Sequence, residues 1–169
     1  MNIYFRPEPK LGDKRTPRCC NIALLRTGVE ENIYNNILFA HAFVGSDTTS
    51  FVYGMGKGTL LKSLGDQSFR KHAQVFSNSS SSKESIIQAG EAAMGFLYKG
   101  QSGASLNKLR AQKFNQKVTT SNRFVEPQVL PPTSNATKYH SLRVYLQVQH
   151  WKSFDCPFPT RRLGLEAKG

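Results

Sequence analysis

Residues 37–61, ILFAHAFVGSDTTSFVYGMGKGTLL, hold the side chains and spacings of this chain that could do chemistry. An apolar run leads into Gly45-Ser46-Asp47, and six residues separate Asp47 from Gly54-Met55-Gly56-Lys57-Gly58. Glycines free the backbone for positive φ or for close approach to a bulky partner. A glycine-rich turn that opens a helix also presents unpaired N–H groups, which suit a phosphate. The spacing therefore nominates Gly54, Gly56, Lys57, Gly58 and Lys62 as nucleic-acid contacts. Main-chain groups of the same turn would also suit a monovalent cation. Asp47 stands where a metal ligand or a helix cap would stand. The competing reading of the glycines is structural, a loop kept small so that two helices can pack tightly.

Helices must position that turn. Ile33, Ile37, Leu38, His41 and Val44 recur at spacings of three and four, with Glu30 and Glu31 in the first turn. That pattern predicts a helix over 30–43, its acids favoured by the helix dipole. His41, on the apolar side, reads as a buried, hydrogen-bonded histidine. After the turn, Thr59 to Leu64 suits a short helix closed by Gly65. Asp66 can cap the next one, whose Phe69, Ala73 and Phe76 face inward. Ser81-x-x-Glu84 is a capping box that opens a helix over 83–98, where Gly90 and Gly95 allow close packing. Ser105 caps another helix, with Leu106, Leu109, Phe114 and Val118 as buried positions and Lys108, Arg110, Lys113 and Lys117 as a basic face.

Around this helical core, 30–118, the rest is less regular. Residues 1–29 read as an extended basic segment, since Pro7, Pro9 and Pro17 oppose a helix, with Ile3 to Phe5 and Asn21 to Leu25 as short strands. Residues 119–133 form a linker that ends in the rigid Leu130-Pro131-Pro132-Thr133. In 134–152 the alternation of Leu142, Val144, Leu146 and Val148 suits a strand, while Tyr139, Leu142 and Leu146 with Val144, Val148 and Trp151 suit a wide helical face. Length and the Pro-Pro-Thr start decide for a helix capped by Thr133 or Ser134. Residues 153–169 lack any period and read as a loosely ordered tail. The fold class expected is mainly α, an irregular bundle of five to six helices with one or two short N-terminal strands.

Charge bears on partners. The formal net charge is +12 over 169 residues and the sequence pI is about 9.9, so polyanions are attracted, most at low salt. Of the three cysteines, Cys19 and Cys20 are adjacent and Cys156 is distant. They match neither a zinc spacing nor a disulfide framework, which favours a reducing, intracellular compartment, the nucleus included. The proline- and charge-bearing N-terminus is not a signal peptide, and no stretch approaches the roughly 20 apolar residues of a membrane span.

Catalysis is poorly supplied. A two-metal nuclease needs carboxylates around ions about 3.5–4 Å apart. The chain has eleven acids, and only Asp47 is near the glycine turn; Asp66 reads as a helix cap, and Glu84 and Glu91 as surface residues of helices. Asp47 could hold magnesium or manganese only if another segment or chain completed the site. G-M-G-K-G also lacks the spacing and the Ser/Thr of a Walker A loop, and G-x-S-x-G and H-E-x-x-H are absent.

The G-S-D, six residues, G-x-G spacing resembles the helix–three-turn–helix of flap endonucleases and related PIN-like nucleases. In that family the aspartate is one of several metal ligands, and the glycine turn grips the DNA backbone with a potassium ion. The resemblance implies Asp47 as metal ligand and Gly54, Gly56 and Lys57 as the gripping turn. Over most of the chain, IYFRPEPK, ILFAHAFVGSDTTS, YGMGKGTLLK, SSSSKESIIQAGEAA and FVEPQVLPPTSNATKYHSLRVYLQVQHWK resemble uncharacterised, many-copy invertebrate proteins of mobile-element origin. Those carry a PIN-like domain with upstream acids and often a cysteine-rich tail. Two departures stand out: the upstream acidic half is missing, and Arg161-Arg162-Leu163-Gly164-Leu165 stands where the family has a tryptophan-glycine-tryptophan patch. The expectation is a C-terminal part of a larger α/β PIN-like domain, not catalytic alone, that retains DNA affinity. The alternative is a structural or interaction remnant that packs on a missing domain or a protein partner.

Overall fold

The computed structural model describes residues 3–8, 12, 18–101, 103–120 and 124–153. Among these are seven α-helices and a two-stranded sheet, in two compact units, Met1–Asn35 and Asn36–Gly169. The expected tail beyond Ser153, with Cys156, lies outside the described residues, as do Pro9 and Pro17. Among the described residues no helix is long and apolar enough to cross a membrane.

In the first unit, β1 (Tyr4–Phe5) pairs antiparallel with β2 (Cys20–Asn21). The expected second strand over Asn21 to Leu25 is corrected: Asn21 ends the strand and caps a helix, α1 (Ile22–Thr27). The Asn21 Oδ1 accepts the Ala23 N–H at 2.9 Å, so a short polar side chain turns the backbone from strand to helix within one residue. No residue of α1 is buried, and Leu24 and Leu25 remain exposed. The Arg26 guanidinium lies 4.6 Å from the centre of the Tyr34 ring.

The second unit holds the core. It comprises the end of α2 (Glu31–Phe43), then α3 (Lys57–Ser63), α4 (Gln67–Ser77), α5 (Lys83–Leu97), α6 (Leu106–Thr120) and α7 (Ser134–Lys152). On α2 the buried face is Asn36, Phe39, Ala40, Ala42 and Phe43, so of the expected stripe only Val44 is fully buried, and Ile37 is exposed. Aromatic volume explains the rotation. Phe39 lies 4.9 Å from Phe43, 4.8 Å from Phe76 and 6.2 Å from Phe69, a cluster that buries more area than the aliphatic stripe could. His41 is exposed rather than buried and stacks on Trp151 at 5.2 Å.

The long helix α7 ties the bundle together. Its Gln149 side chain donates to the Phe76 carbonyl at 2.9 Å, and the Tyr145 hydroxyl donates to the Ser79 carbonyl at 2.9 Å. A Cβ on Gly90 would sit 1.8 Å from the Ser141 Oγ, so α5 and α7 approach as closely as only glycine permits. Gly95, expected to serve the same end, faces nothing within 4 Å. Ser82, not Ser81, caps α5, because the Ser81 hydroxyl is used on the Val75 carbonyl. Glu91 is more than a surface residue: its Oε1 accepts the Ser134 hydroxyl at 2.6 Å and the Leu106 N–H at 3.2 Å, joining the starts of α6 and α7 to α5. Beyond Leu109, α6 runs into solvent, and Phe114 and Val118 are exposed, not buried.

Candidate nucleic-acid interface

Ser46 to Thr49 close a tight turn after α2, in which the Thr49 hydroxyl donates to the Ala42 carbonyl at 2.6 Å and accepts the Ser46 N–H at 2.9 Å. Gly45 has φ +121°, and a Cβ there would meet the Phe51 Cα at 2.8 Å, so this glycine is required. Asp47 sits in that turn, exposed, and caps no helix. Among the described residues it joins no group of three histidines, cysteines or carboxylates that could hold a metal ion. A lone carboxylate does not fit magnesium or manganese.

The turn at 54–58 separates the two readings of its glycines. Gly54 has φ +73°, which only glycine adopts readily. Gly56 and Gly58 have no positive φ, and a Cβ at 54, 56 or 58 would meet nothing within 4 Å. Tight helix packing therefore does not require these glycines. Gly56 caps α3 without a side-chain hydrogen bond, and among the described residues the Gly56, Lys57 and Gly58 N–H groups have no partner. The Val52 and Gly56 carbonyls, in contrast, accept the Met55, Thr59 and Leu60 N–H groups. The turn offers donors more than acceptors, which favours an anion over a monovalent cation. Lys57 and Lys62 are both exposed. Five residues apart on a helix, they stand about 140° from one another and flank the turn without sharing a face.

Basic charge elsewhere is only partly displayed: the Arg70 charge acts on Asp66, and the Lys152 ammonium donates to the Ser77 carbonyl at 2.6 Å. On α6, Lys108 and Lys117 are exposed, but Arg110 leaves the expected basic face: its guanidinium donates to the Pro131 carbonyl at 2.5 Å and the Pro127 carbonyl at 3.5 Å. That clamp docks residues 127–131, read from the sequence as a linker, and Leu130 is buried.

Docking that segment builds a cleft of about 470 Å³ that the sequence reading missed. Residues 50–53, between Asp47 and Gly54, form one rim, and Pro127, Leu130 and Pro132 another. Met94 of α5, Tyr98 just past its end, and Thr137, Tyr139, His140 and Arg143 of α7 also line it. Phe51 is 72% exposed, and Tyr53 and Tyr139 are about half exposed, so three aromatic rings stand at the cleft without being spent on the core. Thr137 is 1% exposed, and its hydroxyl has no hydrogen-bond partner. The His140 Nε2 lies 2.9 Å from the Phe43 carbonyl. Burial, with Arg143 nearby, holds His140 below the usual histidine pKa of 6.5, so it is neutral at pH 7, donates from Nε2 and keeps Nδ1 as an acceptor. The only signal in the sequence was the density of aromatics at 51, 53 and 139 beside Arg143, which has no meaning until α7 is folded against 50–53.

No known protein family, curated protein or solved structure matches this chain.

Proposed function

We propose that this protein binds nucleic acid through its displayed basic surface, centred on the 54–58 turn, and does not cleave it unaided. The observation that carries this reading is the exposure of Lys57 and Lys62 on either side of the turn, in a chain of net charge +12. Exposed cations release counterions when they meet phosphates. The exposed glycines support it, because neither packing nor backbone conformation demands Gly56 or Gly58. The helix α3 is short, so the turn's contribution rests on Lys57 and Lys62 as much as on main-chain N–H groups. Among the described residues Asp47 joins no group of metal-ligating side chains, in keeping with binding rather than unaided cleavage.

Fluorescence anisotropy with labelled single-stranded, flapped and duplex DNA tests this. The expected result is binding whose logarithm falls linearly with the logarithm of salt, and a slope reduced by about 2 in the Lys57→Gln, Lys62→Gln double variant. Absence of binding to all three at low salt would remove the reading. A second reading has one observation in its favour. Tyr34 and Ile37 on α2 are about half exposed, as a surface that packs on a protein partner would be. Aggregation of the isolated chain together with no DNA binding would favour it.

A further inference from the structure

A cleft lies beside the turn. We propose that the cleft formed by residues 50–53, residues 127–132 and the first half of α7 binds one nucleotide unit, a flat heteroaromatic base whose phosphate reaches Arg143. Four features of the cleft select that chemistry. Its volume, about 470 Å³, lies within the roughly 300–1,000 Å³ of ligand pockets and suits one nucleotide rather than a helix of nucleic acid. Its rim bears Phe51, Tyr53 and Tyr139, solvent-exposed rings on which a base can stack. Among its lining residues there are two arginines and no carboxylate, and since Arg110 is held by the Pro127 and Pro131 carbonyls, Arg143 is the cation left for an anionic group.

The floor supplies the fourth. His140 keeps Nδ1 as an acceptor without a partner among the described residues, which suits a donor on the polar edge of a base and not an aliphatic chain. The same chemistry arises from a free nucleotide or from an unstacked base within a single strand. The Arg110 clamp holds the 127–131 rim in place before any ligand arrives, so the cleft is preformed.

Isothermal titration of the full chain tests this at roughly 0.5 M salt, where surface charges are screened. The probes are adenosine 5′-monophosphate, adenosine, ribose 5-phosphate and a short oligodeoxyadenylate. The monophosphate is expected to bind at one site. Arg143→Gln should weaken it about tenfold, the loss of one charge-assisted contact, and leave adenosine unchanged. Tyr139→Ala should weaken both monophosphate and adenosine severalfold by loss of stacking, and an unchanged melting temperature at this half-exposed position certifies that the variant folds. A single strand that binds as well as the monophosphate assigns the site to an unstacked base; a monophosphate that binds alone assigns it to a free nucleotide. The proposal is overturned if neither binds, if ribose 5-phosphate binds as tightly as the monophosphate, or if both variants bind like the parent. It does not depend on the surface reading: loss of DNA binding at low salt leaves the monophosphate result standing, and the converse holds.

Discussion

The turn at 54–58 and the cleft beside it share one connection, between α2 and α3, yet they are built in opposite ways. The turn is five consecutive residues, exposed except for the half-buried Met55, with only Gly54 conformationally required. The cleft draws on residues from 50 to 143 and depends on how α5 and α7 pack. A short motif can thus announce a backbone shape without announcing what surrounds it. Polar groups without partners, which say more about ligands, arise where helices from distant parts of the chain bury them together.

Substitutions that separate the two regions sharpen that contrast. The largest effect is expected at Gly90, where a valine must push α5 from α7 because its Cβ would lie 1.8 Å from the Ser141 Oγ. Urea unfolding should show a loss of about 3 kcal/mol, at the upper end of overpacking costs, with the cleft disrupted in whatever remains folded. Glu91→Ala should come next, at about 2 kcal/mol, because it strands the Leu106 N–H and the Ser134 hydroxyl that frame the starts of α6 and α7. An unchanged urea midpoint would show that those two bonds are replaced by water at no cost.

Acid should weaken the cleft side before the turn. Burial depresses the His140 pKa below 6.5, with Arg143 acting in the same direction and the Phe43 carbonyl opposing it. The unfolded chain therefore takes up this proton first as pH falls. Stability from His140 is complete above about pH 6.5 and declines below it, towards the lower folded value. His72, also depressed by burial, contributes with the same sign. Urea midpoints measured across pH 5–8 should fall on the acid side, and His140→Gln should flatten the fall. The smallest effect belongs to the turn. Gly58→Ala should raise stability by about 0.5 kcal/mol, since it lies within α3 and no Cβ clash or positive φ opposes it, whereas Gly56→Ala, at the N-cap of α3, should lower stability slightly. If the turn contacts phosphates through its main chain, Gly58→Ala should bind DNA more weakly despite being more stable.

Much of the helical skeleton was readable from local signals. Asp66 caps α4, the Ser105 hydroxyl oxygen accepts the Lys108 N–H at the start of α6, and Thr133 caps α7, all as their types suggest. Errors arose where tertiary volume outweighed local pattern. On α2 the aliphatic spacing was regular, but Phe39 and Phe43 met Phe69 and Phe76 and turned the helix towards them. On α6 the apolar spacing continued to Val118, yet among the described residues the helix is uncovered there and Val118 stays exposed. Histidine followed the same rule: His41 was reached by solvent, and the buried histidine is His140, on a helix almost a hundred residues away.

From residue types and spacing alone follow the mainly helical class, the caps, the strong positive charge and the glycine turn. These depend on interactions within a few residues or on simple sums over the chain. Which helix faces are buried, the role of Glu91, the docking of 127–131 by Arg110 and the cleft itself follow only from packing. Each needs groups distant in sequence to compete for the same space, and no local window contains both competitors.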